Sequence, residues 1–293
     1  MGIQAVHGFG AEIPYVSASE MVLGDPRDAP WFRIGMPHLD GRGLSMSWLL
    51  REAGHRHWCA VAEHVGQSAN GIHDLDGNKV LAGVLAVVTT GRADAFREDD
   101  VAELKLVRRP TPLNGWRSVT ELRSTGGAVV SVELVTGFAI RAGTSNHALA
   151  PARMRDDLVA ERGTMTSGRT DELRRKGSLG RRETRTDGTP PILSVRISPR
   201  LHFNGMGLVC FAGLHDHFVS VEEILPEAVS PHAPAARRRI HHFGNLDAGE
   251  MLDVSTRHDH RLSAGRPSLV VTSHARRRTD GAVVAVCESV YER

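Results

Sequence analysis

Cysteine, lysine and tyrosine are all scarce in this chain. Its three cysteines (Cys59, Cys210 and Cys287) are odd in number and far apart, which argues against a disulfide framework or a Cys-rich zinc site and points to the cytoplasm. Lysine occurs only at Lys79, Lys105 and Lys176, so arginine carries nearly all the positive charge. A formal net charge of +2 argues against a surface built throughout for nucleic acid. No run approaches the roughly 18 to 20 apolar residues of a membrane span. Met1 to Pro14, with His7 and Glu12, lacks the basic-then-apolar order of a signal peptide. The expectation is a protein with neither a membrane nor a nucleic-acid partner. With 293 residues, 41% hydrophobic and 24% charged, the chain has room for two modest globular domains.

What the chain does have is a repeat. His38-Leu39-Asp40-Gly41-Arg42-Gly43-Leu44 recurs as His202-Phe203-Asn204-Gly205-Met206-Gly207-Leu208. Thr125-Gly126-Gly127-Ala128-Val129-Val130 recurs, in the same order along the chain, as Thr279-Asp280-Gly281-Ala282-Val283-Val284. Two ordered matches imply a duplicated folding unit.

Each copy begins with a glycine turn and continues into an apolar helical pattern, Ser45 to Val65 and Leu208 to about Leu225. Valine-rich runs with hairpin turns follow: Val80–Thr89, Val101–Val107, Ser118–Ser124 and Ala128–Ile140 in the first copy. Ile240–Phe243, Met251–Val254, Leu269–His274 and Ala282–Tyr291 are their expected counterparts. A glycine turn, a central helix and then a twisted antiparallel sheet is the hot-dog arrangement. The fold class is therefore α+β, a double hot dog with two antiparallel sheets each wrapping a central helix. Residues 1–150 form the expected N-terminal domain and 192–293 the C-terminal one. Residues 151–191, rich in Arg, Gly, Ser and Thr, have few apolar side chains to bury and read as a partly mobile linker.

Several blocks resemble a known family. Gly35-Met36-Pro37-His38-Leu39, Gly43-Leu44-Ser45, Trp48-Leu49-Leu50-Arg51-Glu52 and His57-Trp58 resemble the start of the leinamycin-type bifunctional acyltransferase/decarboxylases of polyketide biosynthesis. Phe203-Asn204-Gly205-Met206-Gly207-Leu208 with Phe211-Ala212, and Arg239-Ile240 with Phe243 to Asp247, resemble its later blocks. The resemblance implies a double hot dog that takes a (methyl)malonyl group from CoA, delivers it to an acyl carrier protein and decarboxylates it. It implies acyl-CoA and an acyl carrier protein as partners. No tightly bound cofactor is implied beyond the CoA or phosphopantetheine of the substrate. A homodimer is compatible with it. The family's proposed acyl acceptor is a tyrosine, yet Tyr15 and Tyr291, the only tyrosines here, lie outside the matching blocks. Cys210 stands where the second block has an aromatic residue. A hot-dog thioesterase or dehydratase, or a non-catalytic scaffold that binds acyl carriers, is the alternative.

A thioester needs its developing oxyanion stabilised. A glycine turn leading into a helix offers backbone N–H groups and the positive end of the helix dipole. Gly43, Leu44 and Ser45, and Gly207 and Leu208 with Val209, are the expected oxyanion donors. His38 with Asp40, and His202 with Asn204, sit where catalytic or substrate-orienting groups would stand, although Asp40 and Asn204 also suit helix or turn capping. The acid-to-amide difference suggests one working copy and one degenerate one. Asn245, Arg141 and Asn146 are candidate substrate contacts. The sixteen histidines include three clusters but no ligand motif, so no metal is expected. Arg174-Arg175-Lys176, Arg181-Arg182 and Arg237-Arg238-Arg239 read as basic patches able to steer an acidic carrier protein.

Overall fold

The computed structural model describes residues 31–112, 116–154, 168–185, 188–225, 234–263 and 266–292. Tyr15 and the Met1–Pro14 segment lie outside them. In the first half, β1 (Trp31–Arg33) precedes a two-residue hairpin, β2 (Leu39–Asp40) and β3 (Gly43–Leu44), and helix α1 (Met46–His64). Strands β4 (Leu81–Gly91), β5 (Val101–Pro112), β6 (Trp116–Ser124), β7 (Val129–Arg141) and β8 (Leu149–Pro151) follow. After helix α2 (Gly168–Arg185), the second half repeats the plan. It has β9 (Leu193–Arg196), a short helix α3 (Pro199–His202), helix α4 (Phe211–Glu223), β10 (Arg237–His242), β11 (Met251–Ser263), β12 (Arg266–Arg277) and β13 (Val283–Glu292).

The strands order as β1-β5-β6-β7-β4 in one half and β10-β13-β12-β11-β9 in the other. The same order on both sides confirms the duplication. β4 and β10 pair antiparallel, Val87 opposite Ile240, so the two half-sheets form one continuous sheet. Helices α1 and α4 lie on it side by side. In α1, Leu49, Leu50, Ala53, His57 and Val61 recur three and four apart and are all buried, giving one stripe toward the sheet. Leu214, Phe218 and Val221 do the same in α4. One apolar core runs through both halves, from Leu50, Phe96 and Leu122 to Phe218 and Val254. Full burial of side chains such as Leu50 or Phe218 contributes about 1.5 to 3 kcal/mol each.

Three expectations change. Residues 168–185, read as part of a linker with little to bury, form α2, whose Leu173 is buried against Ala86, Val88 and Val135. Its Gly177 lies so close to His241 that an added Cβ would stand 2.8 Å from the ring. One leucine and small residues on the same face seat this otherwise polar helix. Next, β11 runs to Ser263 rather than stopping near Val254, because residue-by-residue pairing with β12 continues through the polar stretch His258–Arg261. Finally, α4 begins at Phe211, three residues later than Leu208.

That shift has a local cause. His38 and His202 each accept a backbone N–H at Nδ1, from Gly35 and Ser198 respectively, both at 2.9 Å. The carbonyl of His38 accepts from Ser45 N–H and that of His202 from Cys210 N–H, both at 2.8 Å. Ser45 and Cys210, the N-cap residues, are therefore equivalent, and the second turn is one residue longer than the first. Gly43 keeps the first turn tight at φ +130°, where a Cβ would stand 2.6 Å from the Ala93 carbonyl oxygen.

Candidate functional site

Because α1 and α4 lie side by side with their N-termini in equivalent places, each start faces the flank of the other helix. Two clefts result. The first, about 250 Å³, lies between the start of α1 (Asp40, Ser45, Ser47) and the flank of α4 (His215, Asp216, Glu222). The second, about 640 Å³, lies between the start of α4 (Asn204, Leu208, Cys210, Phe211) and the flank of α1 (Arg51, His55, His57, Trp58). The matched N-caps make Ser47 equivalent to Ala212, Arg51 to Asp216 and His57 to Glu222.

Chemically the two differ. The larger cleft has a wall of Ile72, Val84, Leu134, Phe203 and Phe211. Among the described residues no Asp or Glu lines it, while Arg51, Lys79 and Arg200 stand exposed around it. His57, 1% exposed, closes one side, bound to Ser118 Oγ at 2.6 Å and Thr136 Oγ1 at 2.8 Å. Burial pushes its pKa down to about 4, so the imidazole is neutral at pH 7. Gly54 lets α1 approach α4 here, its absent Cβ being 3.0 Å from the Phe211 ring.

A buried ionic network backs the smaller cleft. Arg238 donates to Glu222 at 2.5 Å, to Ser289 at 2.9 Å and to His215 Nε2 at 3.0 Å. Tyr291 O–H donates to the same carboxylate at 2.5 Å and Ser289 O–H at 2.7 Å. Burial, then the Glu222 charge, pushes the Tyr291 phenol well above its ordinary value, so it is a hydrogen-bond donor, not a phenolate. Arg238 can only donate, so His215 Nε2 accepts and its Nδ1–H points to Asp216 Oδ1, 3.2 Å away. Ser47 Oγ donates to the other Asp216 oxygen at 2.9 Å. Sequence reasoning weighs His215 and Asp216 only as one of the histidine clusters and misses Ser47, Glu222 and Ser289. Arg238 was hidden in what reads as a surface cluster, yet Arg238 and Arg239 are 7% and 6% exposed and paired with Glu222 and Glu288. The signal that was available is the position of Ser47 and Asp216 on the two repeated helices.

The sequence-selected residues divide into three sets. Asp40, Leu44 and Ser45 line the smaller cleft and Asn204 and Leu208 the larger. His38 packs between Phe32 and Trp48, and His202 beside His217. Both hold their own turns and neither lines a cleft. Arg141, Asn146 and Asn245 gather around the second turn from outside the cleft. Arg141 donates to Asn146 and to the Met206 carbonyl, at 2.9 and 3.0 Å. Asn146 donates to the Gly207 and Leu246 carbonyls, and Asn245 accepts from Val209 N–H at 3.0 Å. They brace the helix start. The N–H groups of Ser45, Gly207 and Leu208 are themselves occupied by His38, the Asn204 carbonyl and the Asn204 side chain. Intrahelical bonding leaves the N–H groups of Phe211 and Ala212 without an acceptor in their own helix, and Cys210 makes no side-chain cap there. At α1, by contrast, Ser45 Oγ accepts from Trp48 N–H. The unclaimed donors thus sit three residues beyond Leu208.

His147, Asp247 and Glu250 form one group with metal-ligand chemistry among the described residues, but these carboxylates already accept from Ser145, Asn146 and the Asp247 N–H. No helix of the described residues is long and apolar enough to cross a membrane.

The sequence matches no protein-family model and no curated protein. Solved structures do match. An acyl-ACP thioesterase from Bacteroides thetaiotaomicron aligns at TM-score 0.53 with 11% identity, covering 89% of this chain and 96% of its own. The 12:0-ACP thioesterase of Umbellularia californica aligns at TM-score 0.54 with 11% identity, covering 90% and 93%. At that identity the likeness shows the fold: this chain is a double hot dog.

Proposed function

We propose that the chain is an enzyme acting on acyl thioesters of CoA or an acyl carrier protein, and that its larger cleft decarboxylates a malonyl-type thioester. One observation carries this reading: an apolar cleft without a lining carboxylate that ends on a helix N-terminus with unclaimed N–H groups. The thioester oxygen lies against the N–H of Phe211, the first helical residue that lines the cleft. The substrate carboxylate is set on the apolar wall, where charge is poorly solvated and its loss as carbon dioxide is favoured. The bond between the α-carbon and the carboxylate breaks and its electron pair moves into the enolate, which the helix N-terminus stabilises. Water then returns a proton to the α-carbon. No metal or redox group is needed for this step. Arg51, Lys79 and Arg200 suit the phosphates of CoA or phosphopantetheine.

The fold shared with acyl-ACP thioesterases supports a thioester substrate, and the resemblance of several sequence blocks to the leinamycin-type acyltransferase/decarboxylases is the ground for a malonyl one. Among the described residues no carboxylate lines the larger cleft to activate water, which leaves His55 as the group there that could do so. Incubation with methylmalonyl-CoA and a carrier protein, read by intact-mass spectrometry, tests the proposal. Carbon dioxide release with a propionyl thioester is expected; free acid alone, or an unchanged substrate, would overturn it.

A further inference from the structure

The smaller cleft carries a constellation that decarboxylation does not use. Ser47 Oγ is 2.9 Å from Asp216 Oδ2, and the other Asp216 oxygen is held by His215 Nδ1–H at 3.2 Å. His215 in turn is fixed by Arg238, which is anchored on Glu222 and Ser289. A hydroxyl, a carboxylate that can take its proton, and a third group that orients the carboxylate are the parts of an activated nucleophile. The hydroxyl belongs to the first turn of α1, where the N–H groups of Met46 and Ser47 lack intrahelical acceptors. The other copy has lost both parts, carrying Ala212 and Arg51 at the equivalent positions.

We propose that Ser47 is an acyl acceptor, activated by Asp216, and that the smaller cleft transfers small acyl groups between thiols. In the first step Ser47 Oγ attacks the thioester carbonyl and Asp216 takes its proton. The carbon–sulfur bond then breaks, and the departing thiolate leaves as a thiol with the proton from Asp216. A second thiol reverses the sequence, its proton passing to Asp216 and then to the departing Ser47 oxygen. Nothing is oxidised or reduced. Water in place of the second thiol would give slow hydrolysis. A cleft of about 250 Å³ has room for an acetyl or propionyl group. Tyr291, 3.4 Å from Arg238 Nη2, is a wall of this site and not its nucleophile.

The use of thioesters rests on the proposed function, so the test separates the two with an activated ester. The whole protein is exposed to p-nitrophenyl propionate and, separately, to propionyl-CoA, and the adduct is located by tandem mass spectrometry. A propionyl ester on Ser47 from both reagents, lost in Ser47→Ala and formed at least about 100-fold more slowly in Asp216→Asn, is the expected result. Ser47 labelled by the activated ester alone would uphold the nucleophile and count against the thioester reading. Thioester turnover with no Ser47 adduct, unchanged in Ser47→Ala, would overturn the inference and leave that reading intact. No labelling of Ser47 by either reagent would overturn it outright. Folding of each variant is checked by its unfolding midpoint, so that loss of structure is not mistaken for loss of a nucleophile.

Discussion

His57 and Glu222 occupy the same turn of the two repeated helices, each twelve residues beyond its N-cap, Ser45 and Cys210. One is a neutral imidazole bridging Ser118 and Thr136; the other is a carboxylate shared by Arg238, Ser289 and Tyr291. From this single position the two clefts diverge. Histidine seals an apolar cavity with a satisfied polar group, whereas glutamate requires a buried cation and the hydroxyls around it.

The Glu222–Arg238 pair is almost fully enclosed, with side chains 1% and 9% exposed. Arg238→Met is expected to cost about 3 to 5 kcal/mol, because it leaves Glu222 buried with its charge uncompensated. Adding Glu222→Gln to that variant should recover part of the loss. Urea unfolding of the two single variants and the double variant measures both effects.

His57 and His241 are buried with their pKa values pushed down to about 4 by desolvation. The unfolded chain, with histidine near 6.5, binds protons that the folded chain refuses. Their contribution to stability is therefore complete above about pH 6.5 and is lost as pH falls toward 4. Unfolding midpoints should drop across that window, and His57→Gln should flatten the slope.

At Gly54, alanine would ordinarily gain about 1 kcal/mol in helix propensity, but the new Cβ would stand 3.0 Å from the Phe211 ring. Gly54→Ala should give no gain on its own and should stabilise a Phe211→Leu background. Gly213, with nothing within 4 Å of its added Cβ, is the control, and Gly213→Ala should stabilise outright. Denaturant midpoints of the set test this.

The repeat made much of the fold legible, because both the glycine turns and the hairpins recur and each mark falls on an element boundary. The extra residue in the second turn was hidden: Gly43 and Gly207 align as letters, but the hydrogen bonds match Ser45 with Cys210. The N–H groups of Gly207 and Leu208 consequently close the longer turn on Asn204 instead of standing at the helix start. The buried network was illegible for a different reason. Arg238, Glu222 and Tyr291 are far apart along the chain, and each alone reads as a surface charge or a sheet aromatic. Helix α2 was obscured by its charge, since a single buried leucine carries little signal.

In the larger cleft, Arg51→Ala is expected to raise KM for a CoA thioester about 10-fold with a smaller effect on kcat, since it removes a contact with a part of the substrate that does not react. The effect should shrink for a thioester of N-acetylcysteamine, which has no phosphate. Steady-state kinetics with both substrates checks this.

Release of labelled carbon dioxide from carboxyl-labelled methylmalonyl-CoA tests the central claim, compared between Gly54→Leu, whose side chain crowds Phe211 at the larger cleft and whose folding is checked by its unfolding midpoint, and Asp216→Asn, which alters only the smaller. Release that is abolished in Gly54→Leu and persists in Asp216→Asn is the predicted result. Release lost in Asp216→Asn and retained in Gly54→Leu would place the reaction in the other cleft and contradict the account.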